Sequence, residues 1–367
     1  MRKSQLIYQY VRRNGPVSKQ DIVFGLKLSL PTVSNNLQYL MELGVVETPT
    51  KIENTGGRNA VAYAGASQAR IAIGIYLTKN HMTAVSVDLN GQVIVKEKVR
   101  TRFNLEDEEY LKKIGELVES VKRKTDVSDE QLLGVGIAVQ SLVSEDGEDV
   151  TYGMTLNFTG ATRKRIAKYV PYRNRLFHDS EMSGHAEAWI DGTLKNAFYL
   201  SLNNSVGGSV IIDNKMYVGD TLKSGEIGHT LVVREGGEQC YCGRYGCFDT
   251  VCRATKLDEY TDGNLEEFFE LLGQGDKKAA EMWDTYLNEL AIGIHNIRML
   301  FDSKVIIGGY IGAYIEEHLE ELARRVDARS PFTKEKAMDY ILPCKYKVES
   351  AAAGAALNYI DDFFESI

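Results

Sequence analysis

Nothing in this 367-residue sequence approaches the ~18 consecutive apolar residues of a membrane-crossing helix. No apolar signal core follows the opening Met1-Arg2-Lys3-Ser4-Gln5, so the expected location is the cytoplasm, away from any membrane. Cysteine is scarce: five residues are too few for a disulfide scaffold. The compositional marks of disorder are missing too, because 44% hydrophobic and 26% charged residues are ordinary globular values. At ~150 residues per domain, this length predicts two or three domains. The net charge is −8, but it is uneven. Residues 1–65 hold eight Lys/Arg and four Asp/Glu, whereas the remainder nets −12. A basic head on an acidic body points one end at a polyanion.

The head reads as three short helices and a hairpin. Leu6, Ile7, Tyr10 and Val11 recur at helical spacing over 4–13, and Asn14-Gly15-Pro16 ends that run. Ser18 caps a second helix over 18–26, with Asp21 three residues on. Ser29 caps a third, with Pro31 in its first turn and Val33, Leu37, Leu40, Met41 and Leu43 inward. Val45-Val46-Glu47 and Ala60 to Tyr63 read as the strands of a hairpin whose tip carries Gly56-Gly57-Arg58. This is the winged helix-turn-helix pattern for double-stranded operator DNA. Thr32, Ser34, Asn35 and Asn36 on the third helix suit base edges in the major groove. Arg58 suits the negative potential of the minor groove. The competing reading is a small helical module that binds protein.

The body opens with strands at 71–76, 82–88 and 92–99, Asn90-Gly91 supplying a type I′ turn signal. An amphipathic helix over 107–124 puts Tyr110, Leu111, Ile114, Leu117, Val118 and Val121 on one face, and a strand follows at 133–139. Strands at 197–202, 209–212 and 215–218, with Asp213-Asn214 as turn, begin a second cycle. Two α/β lobes with a ligand-binding cleft are expected. His229, Cys240, Cys242 and Cys247 form H-x10-C-x-C-x4-C. One imidazole and three thiolates make a closed tetrahedral, structural Zn²⁺ site, with Gly243 and Gly246 letting the loop fold tightly. The alternative is that some of these cysteines are buried apolar residues; Cys252 and Cys344 are read that way.

The head, the Gly225-Glu226-Ile227-Gly228-His229 segment and the C-x-C-G-x-x-G-C loop together resemble the ROK family of repressors and sugar kinases, in its xylose-repressor branch. The resemblance implies an α/β fold: an N-terminal winged helix-turn-helix, then a two-lobed actin-like (sugar kinase/ROK) body. The domains would be 1–65, 70–190 and 191–367, with the C-terminal helix returning to the first lobe. It also implies that Glu226 and His229 contact a sugar effector, that Asp179 in Phe177-His178-Asp179 matches the family's catalytic Asp, and that Asn157, His178 and Asp249 complete the ring. A homodimer or higher oligomer is implied as well.

Phosphoryl transfer needs a cradle of backbone N–H groups and a carboxylate for Mg²⁺. Tyr76 stands where the family's kinases place an Asp, and Asn203-Asn204-Ser205-Val206-Gly207-Gly208 replaces their glycine-rich loop. Gln140-Ser141 replaces a Pro-Gly pair. The expected protein is therefore not an enzyme but a sugar-responsive repressor of carbohydrate metabolism genes. The alternatives are an ATP-dependent sugar kinase with a DNA-binding head, or a regulator that senses a non-sugar metabolite or a protein partner.

Overall fold

The computed structural model describes residues 2–49, 51–52, 60–347 and 349–367. Arg58 lies outside the described residues. The first three helices are α1 (Lys3–Asn14), α2 (Lys19–Leu26) and α3 (Leu30–Glu42). Gly15 ends α1 in the left-handed region at φ 70. Ser18 accepts from Asp21 N–H while the Asp21 carboxylate accepts from Ser18 N–H at 2.8 Å, a reciprocal cap for α2. Ile7, Val11, Ile22, Val33, Leu37 and Leu40 close into one core. Met41, expected inward, is 42% exposed. Neighbouring residues on a helix differ by about 100°, and Leu40 holds the inward position.

The wing pairs one step further along than expected. β1 (Val46–Glu47) meets β4 (Ala64–Gly65), and β2 (Lys51–Ile52) meets β3 (Ala60–Val61). Tyr63 leaves this ladder to bridge Val17, which ties the wing to the start of α2.

The body repeats one plan twice. The first sheet holds β5 (Ile71–Leu77), β6 (His81–Asp88), β7 (Val93–Arg100), β8 (Leu132–Val139) and β12 (Asn174–His178), in the order β12-β8-β5-β6-β7. The second holds β13 (Ala197–Leu202), β14 (Val206–Ile212), β15 (Lys215–Tyr217), β16 (Lys304–Gly308) and β17 (Ile341–Pro343), in the order β15-β14-β13-β16-β17. In both, the first three strands are antiparallel and the last two join in parallel. A small sheet of β9 (Leu142–Val143), β10 (Asp149–Tyr152) and β11 (Gly160–Ala161) flanks the first lobe. The helices are α4 (Glu108–Thr125), α5 (Arg163–Ala167), α6 (Asp179–Ile190), α7 (Asp249–Cys252), α8 (Thr255–Asp258), α9 (Leu265–Gly273), α10 (Lys277–Phe301), α11 (Gly309–Gly312), α12 (Leu319–Asp327) and α13 (Ser350–Ser366). All six residues expected on the inward face of α4 are buried.

The two hairpin turns differ. Asp213 and Asn214 both take positive φ, 51° and 59°, as a type I′ turn requires. At Asn90-Gly91 only Gly91 does so; the turn is closed instead by Asp88, whose Oδ1 accepts from Asn90 N–H and Gln92 N–H.

Helix α13 returns to the first sheet and lies on it at backbone distance. A Cβ at Gly74 would overlap Ala352 O, one at Gly136 would overlap Ala355 O, and one at Gly354 would overlap Met182 O of α6. The Ala351 to Ala356 run keeps the matching face of α13 small, and all of it is buried.

The head is docked on this same layer. Tyr8 and Phe364 approach to 5.2 Å between ring centroids. The Arg12 guanidinium stacks 4.5 Å over Trp189 and 5.3 Å over Phe364, and its Nη1 donates to Leu89 O. Arg2 and Gln5 donate to the carbonyls of Ser366 and Glu365.

Gly74→Ala should lose about 3 kcal/mol of stability in urea unfolding, because neither α13 nor β5 can give way. Gly273→Ala, where a Cβ meets open space in α9, should change it by less than about 1 kcal/mol. Equal effects at the two positions would contradict the close approach.

Candidate functional site

The cleft between the lobes is lined from one side by Gln140, Ser141, Thr155, His178 and Asp179, and from the other by Ser205, Val206, Glu226 and Tyr241. Asp179 is the first residue of α6, directly after β12. It is buried, and its Oδ2 accepts a 2.7 Å hydrogen bond from Tyr76 Oη. His178 Nε2 stands 3.4 Å from Asp179 Oδ1 and 4.0 Å from Glu226 Oε1. Burial raises the Asp179 carboxyl above its usual range, opposed by His178 and by the Tyr76 hydroxyl.

Two glycines place Glu226 and His229. A Cβ at Gly225 would overlap Gly208 O, and one at Gly228 would overlap Val206 O, so this segment lies flat against β14. His229 then faces two ways. Its Nδ1 is 3.6 Å from Cys240 Sγ; its Nε2 is 3.1 Å from Tyr241 Oη and 3.8 Å from Glu226 Oε2.

The ligand atoms of His229, Cys240, Cys242 and Cys247 all lie within 4.8 Å of one another, with Cys242 and Cys247 sulfurs 3.7 Å apart. Gly243 and Gly246 hold positive φ at 86° and 75°, and a Cβ at Gly246 would overlap Val233 O. Burial pushes the Cys240 thiol up to about 12. A cation among these sulfurs would stabilise the thiolates that burial disfavours, so the donor set fits a metal ion.

The ROK family model matches residues 72–361, most of the chain. The chain belongs to the ROK family. The xylose repressor of Caldicellulosiruptor bescii is 25% identical over 349 residues, covering 89% of this chain and 87% of that one. The xylose repressor of Bacillus subtilis is 24% identical over 378 residues, covering 99% and 96%. The transcriptional dual regulator NagC of Escherichia coli K12 is 22% identical, covering 84% and 80%. Among solved structures, a ROK transcriptional regulator homologous to the E. coli MLC protein superposes with TM-score 0.76 at 18% identity, covering 99% of this chain and 97% of that one. A ROK glucokinase from Streptomyces griseus in complex with glucose and AMPPNP gives 0.68 at 21% identity, covering 78% and 98%. The fold is thus the α/β ROK sugar-kinase-like fold, and the superposition on the regulator takes in the N-terminal helices.

Within this ROK cleft four expected residues meet: His178, Asp179, Glu226 and His229. Two others do not line it. Asn157 is exposed, with left-handed φ 52, and lines a neighbouring hollow with Arg102 and Glu106. Thr155, two residues earlier, is the polar side chain of that segment at the cleft. Asp249 is 1% exposed and turns inward: its Oδ1 accepts from Val206 N–H at 2.7 Å and fixes the start of β14. Two tyrosines that the sequence pattern does not mark as site residues also stand here. Tyr76, in the place of an Asp, is tied to Asp179; Tyr241 sits inside the C-x-C spacing and reaches the histidine.

Asn203, which follows β13, has both ends of its side-chain amide occupied. Asn203 Oδ1 accepts from Tyr310 N–H at 2.9 Å, and its Nδ2 donates to Ser201 Oγ at 3.0 Å. Tyr310 is itself largely enclosed, its phenol pushed up to about 12 by burial and by Asp179.

A raised carboxyl holds its proton to higher pH in the folded than in the unfolded state, so its contribution to stability falls as pH rises through the folded value. Asp179→Asn keeps an acceptor for Tyr76 and removes that loss. The variant should gain more in Tm over the native protein at about pH 8 than at about pH 4. An equal gain, or a loss, at both would contradict the burial argument.

Proposed function

We propose that this ROK protein is a DNA-binding repressor of carbohydrate metabolism genes whose cleft senses a sugar and does not phosphorylate it. The observation that carries the reading is the hydrogen bond from Tyr76 to Asp179. The position implied for a catalytic base is already paired with a phenol, and that phenol stands where the kinases carry an acidic residue. His178, Glu226 and His229 remain around it as partners for sugar hydroxyls. The names of the xylose and NagC relatives support a sugar effector. No described helix is long and apolar enough to cross a membrane.

In this reading α3 enters the major groove. Asn35 is exposed there, and Ser34 and Thr32 are half-exposed. The Asn36 amide donates to Thr32 O at 2.8 Å, so it must leave that bond to read a base. A two-fold dimer would match a palindromic operator. Zn²⁺ would be held by His229 Nδ1, Cys240, Cys242 and Cys247, with no open position, which makes it structural. Held that way, the imidazole presents Nε2 to the cleft in one tautomer.

The path from cleft to DNA runs along α6. Asp179 begins it in the cleft, and Trp189, at its far end, carries the stacked Arg12 of α1. Trp189 Nε1 also donates to Asp361 of α13 at 2.9 Å, so the rod is fixed at both ends. A ligand alters DNA affinity only by binding one head arrangement better than the other.

Metal analysis of protein purified without chelator should find about one zinc per chain, and Cys242→Ser should lose it. Less than about a third of an equivalent in the native protein would contradict the site. For the switch, a duplex selected from random DNA can be titrated with and without a sugar found by thermal shift. The native protein should change DNA affinity about fivefold or more between the two conditions. Trp189→Ala should bind the sugar as before and reduce the change to under about twofold. An undiminished response would remove α6 from the path, and ATP-dependent phosphorylation of the sugar would overturn the sensor reading.

A further inference from the structure

The hollow at the centre of the cleft is small, about 40 Å³. Beside it lies a second hollow of about 560 Å³. The two share three walls, Leu142, Tyr152 and Glu226, and His229 lines the larger one. Leu142 and Tyr152 are cross-strand partners in β9 and β10. They form a low fence, and a ligand held by Glu226 and His229 sits across it with one side open to the larger space.

The construction of that outer space says what fits it. Val143 and Leu222 give it aliphatic walls, and the ring of Tyr152 stands 43% exposed at its edge. Thr151, Thr221 and Lys223 place hydroxyls and one ammonium around the rim. Leu222 is held at φ 58, a left-handed conformation that costs a non-glycine residue about 1 kcal/mol or more. Strain of this kind concentrates at ligand clamps. Apolar walls and an open aromatic face, with a few donors and acceptors at the edge, match the C–H faces and hydroxyl rim of a sugar ring. A single ring held by Glu226 and His229 would fill only part of this space.

We infer that the effector is a disaccharide, with one ring held by Glu226 and His229, its hydroxyls directed at His178 and Asp179, and the second ring against Leu142, Val143, Tyr152 and Leu222. The inference rests on the cleft being a sugar sensor, as proposed above, and adds the size of the sugar. The second ring bridges the fence at Leu142 and Tyr152. It packs against β9–β10 from the first lobe and against the 219–224 loop from the second.

The test is calorimetric titration of the full chain with glucose, xylose, galactose and N-acetylglucosamine, then with cellobiose, xylobiose, lactose and diacetylchitobiose, then with nitrophenyl glycosides of the same monosaccharides. At least one disaccharide should bind about tenfold or more tighter than the monosaccharide it contains. Leu222→Asn keeps a residue that tolerates left-handed backbone and removes the apolar wall. Thr151→Trp, at an exposed strand position, fills the hollow. Each should cut disaccharide affinity about tenfold and leave monosaccharide affinity within about twofold. A monosaccharide binding as tightly as its disaccharides would overturn the inference, as would nitrophenyl glycosides binding tighter than every disaccharide. Disaccharide binding untouched by both variants would also overturn it. In those outcomes the sensor reading stands. Binding of no sugar of either size would overturn both.

Discussion

Helix α13 approaches the first sheet to backbone distance at Gly74 and Gly136, and both ends of the protein are referenced to that contact. Gly74 and Gly136 open the sheet; the Ala351 to Ala356 run closes on it. Side chains of ordinary size at either glycine would lift the helix and carry two other surfaces with it. One is α6, joined to α13 by Ser183–Ser350 and Trp189–Asp361 hydrogen bonds and by the approach of Gly354 to Met182. The other is the head, whose Tyr8 and Arg12 rest on Phe364. The residues that line the cleft and those that hold the first three helices thus share one helix as their support.

That arrangement makes the buried polar groups informative. Among the described residues no Lys or Arg pairs with Asp179: His178 is beside it and the Tyr76 phenol donates to it. Burying a carboxylate with so little compensation is costly. Asp249 shows the other solution. It too is buried and raised, but its Oδ1 is committed to the backbone of Val206 and it serves the strand, not the cleft.

Much of this was legible in the sequence, and the failures have common causes. Caps and stops set α1 to α3 within a residue or two, because Ser18, Ser29 and Gly15 satisfy or end the backbone ladder locally. The His/Cys cluster was legible because four donors within nineteen residues can meet only by folding a short loop, and glycine marks where it folds. Asn157 was misplaced because a family position fixes chain location but not which way a loop residue turns; its left-handed backbone sends Thr155 to the cleft instead. Asp249 was misplaced because its short side chain meets an unpaired N–H first. The type I′ turn failed at Asn90 because an Asp two residues earlier supplied both acceptor bonds that the turn needed. Tyr241 was invisible because a residue between two metal ligands reads as spacing.

Tyr241 also connects the His/Cys donor cluster to the cleft. Its neighbours in the chain, Cys240 and Cys242, belong to the donor cluster, so the loop that gathers the donors also fixes where its phenol can go. It goes to His229 Nε2, the atom left free when Nδ1 faces the sulfurs. A sugar hydroxyl competing for that nitrogen must displace the phenol, and the phenol is anchored on both sides. The exchange is of one hydrogen bond for another and contributes little net free energy. Affinity must then come from surface that the phenol does not occupy, which in this cleft is the apolar space beyond Leu142 and Tyr152. On the proposed reading, a hydroxyl pattern at His229 would select the kind of sugar, and the area outside the fence would decide how tightly it is held.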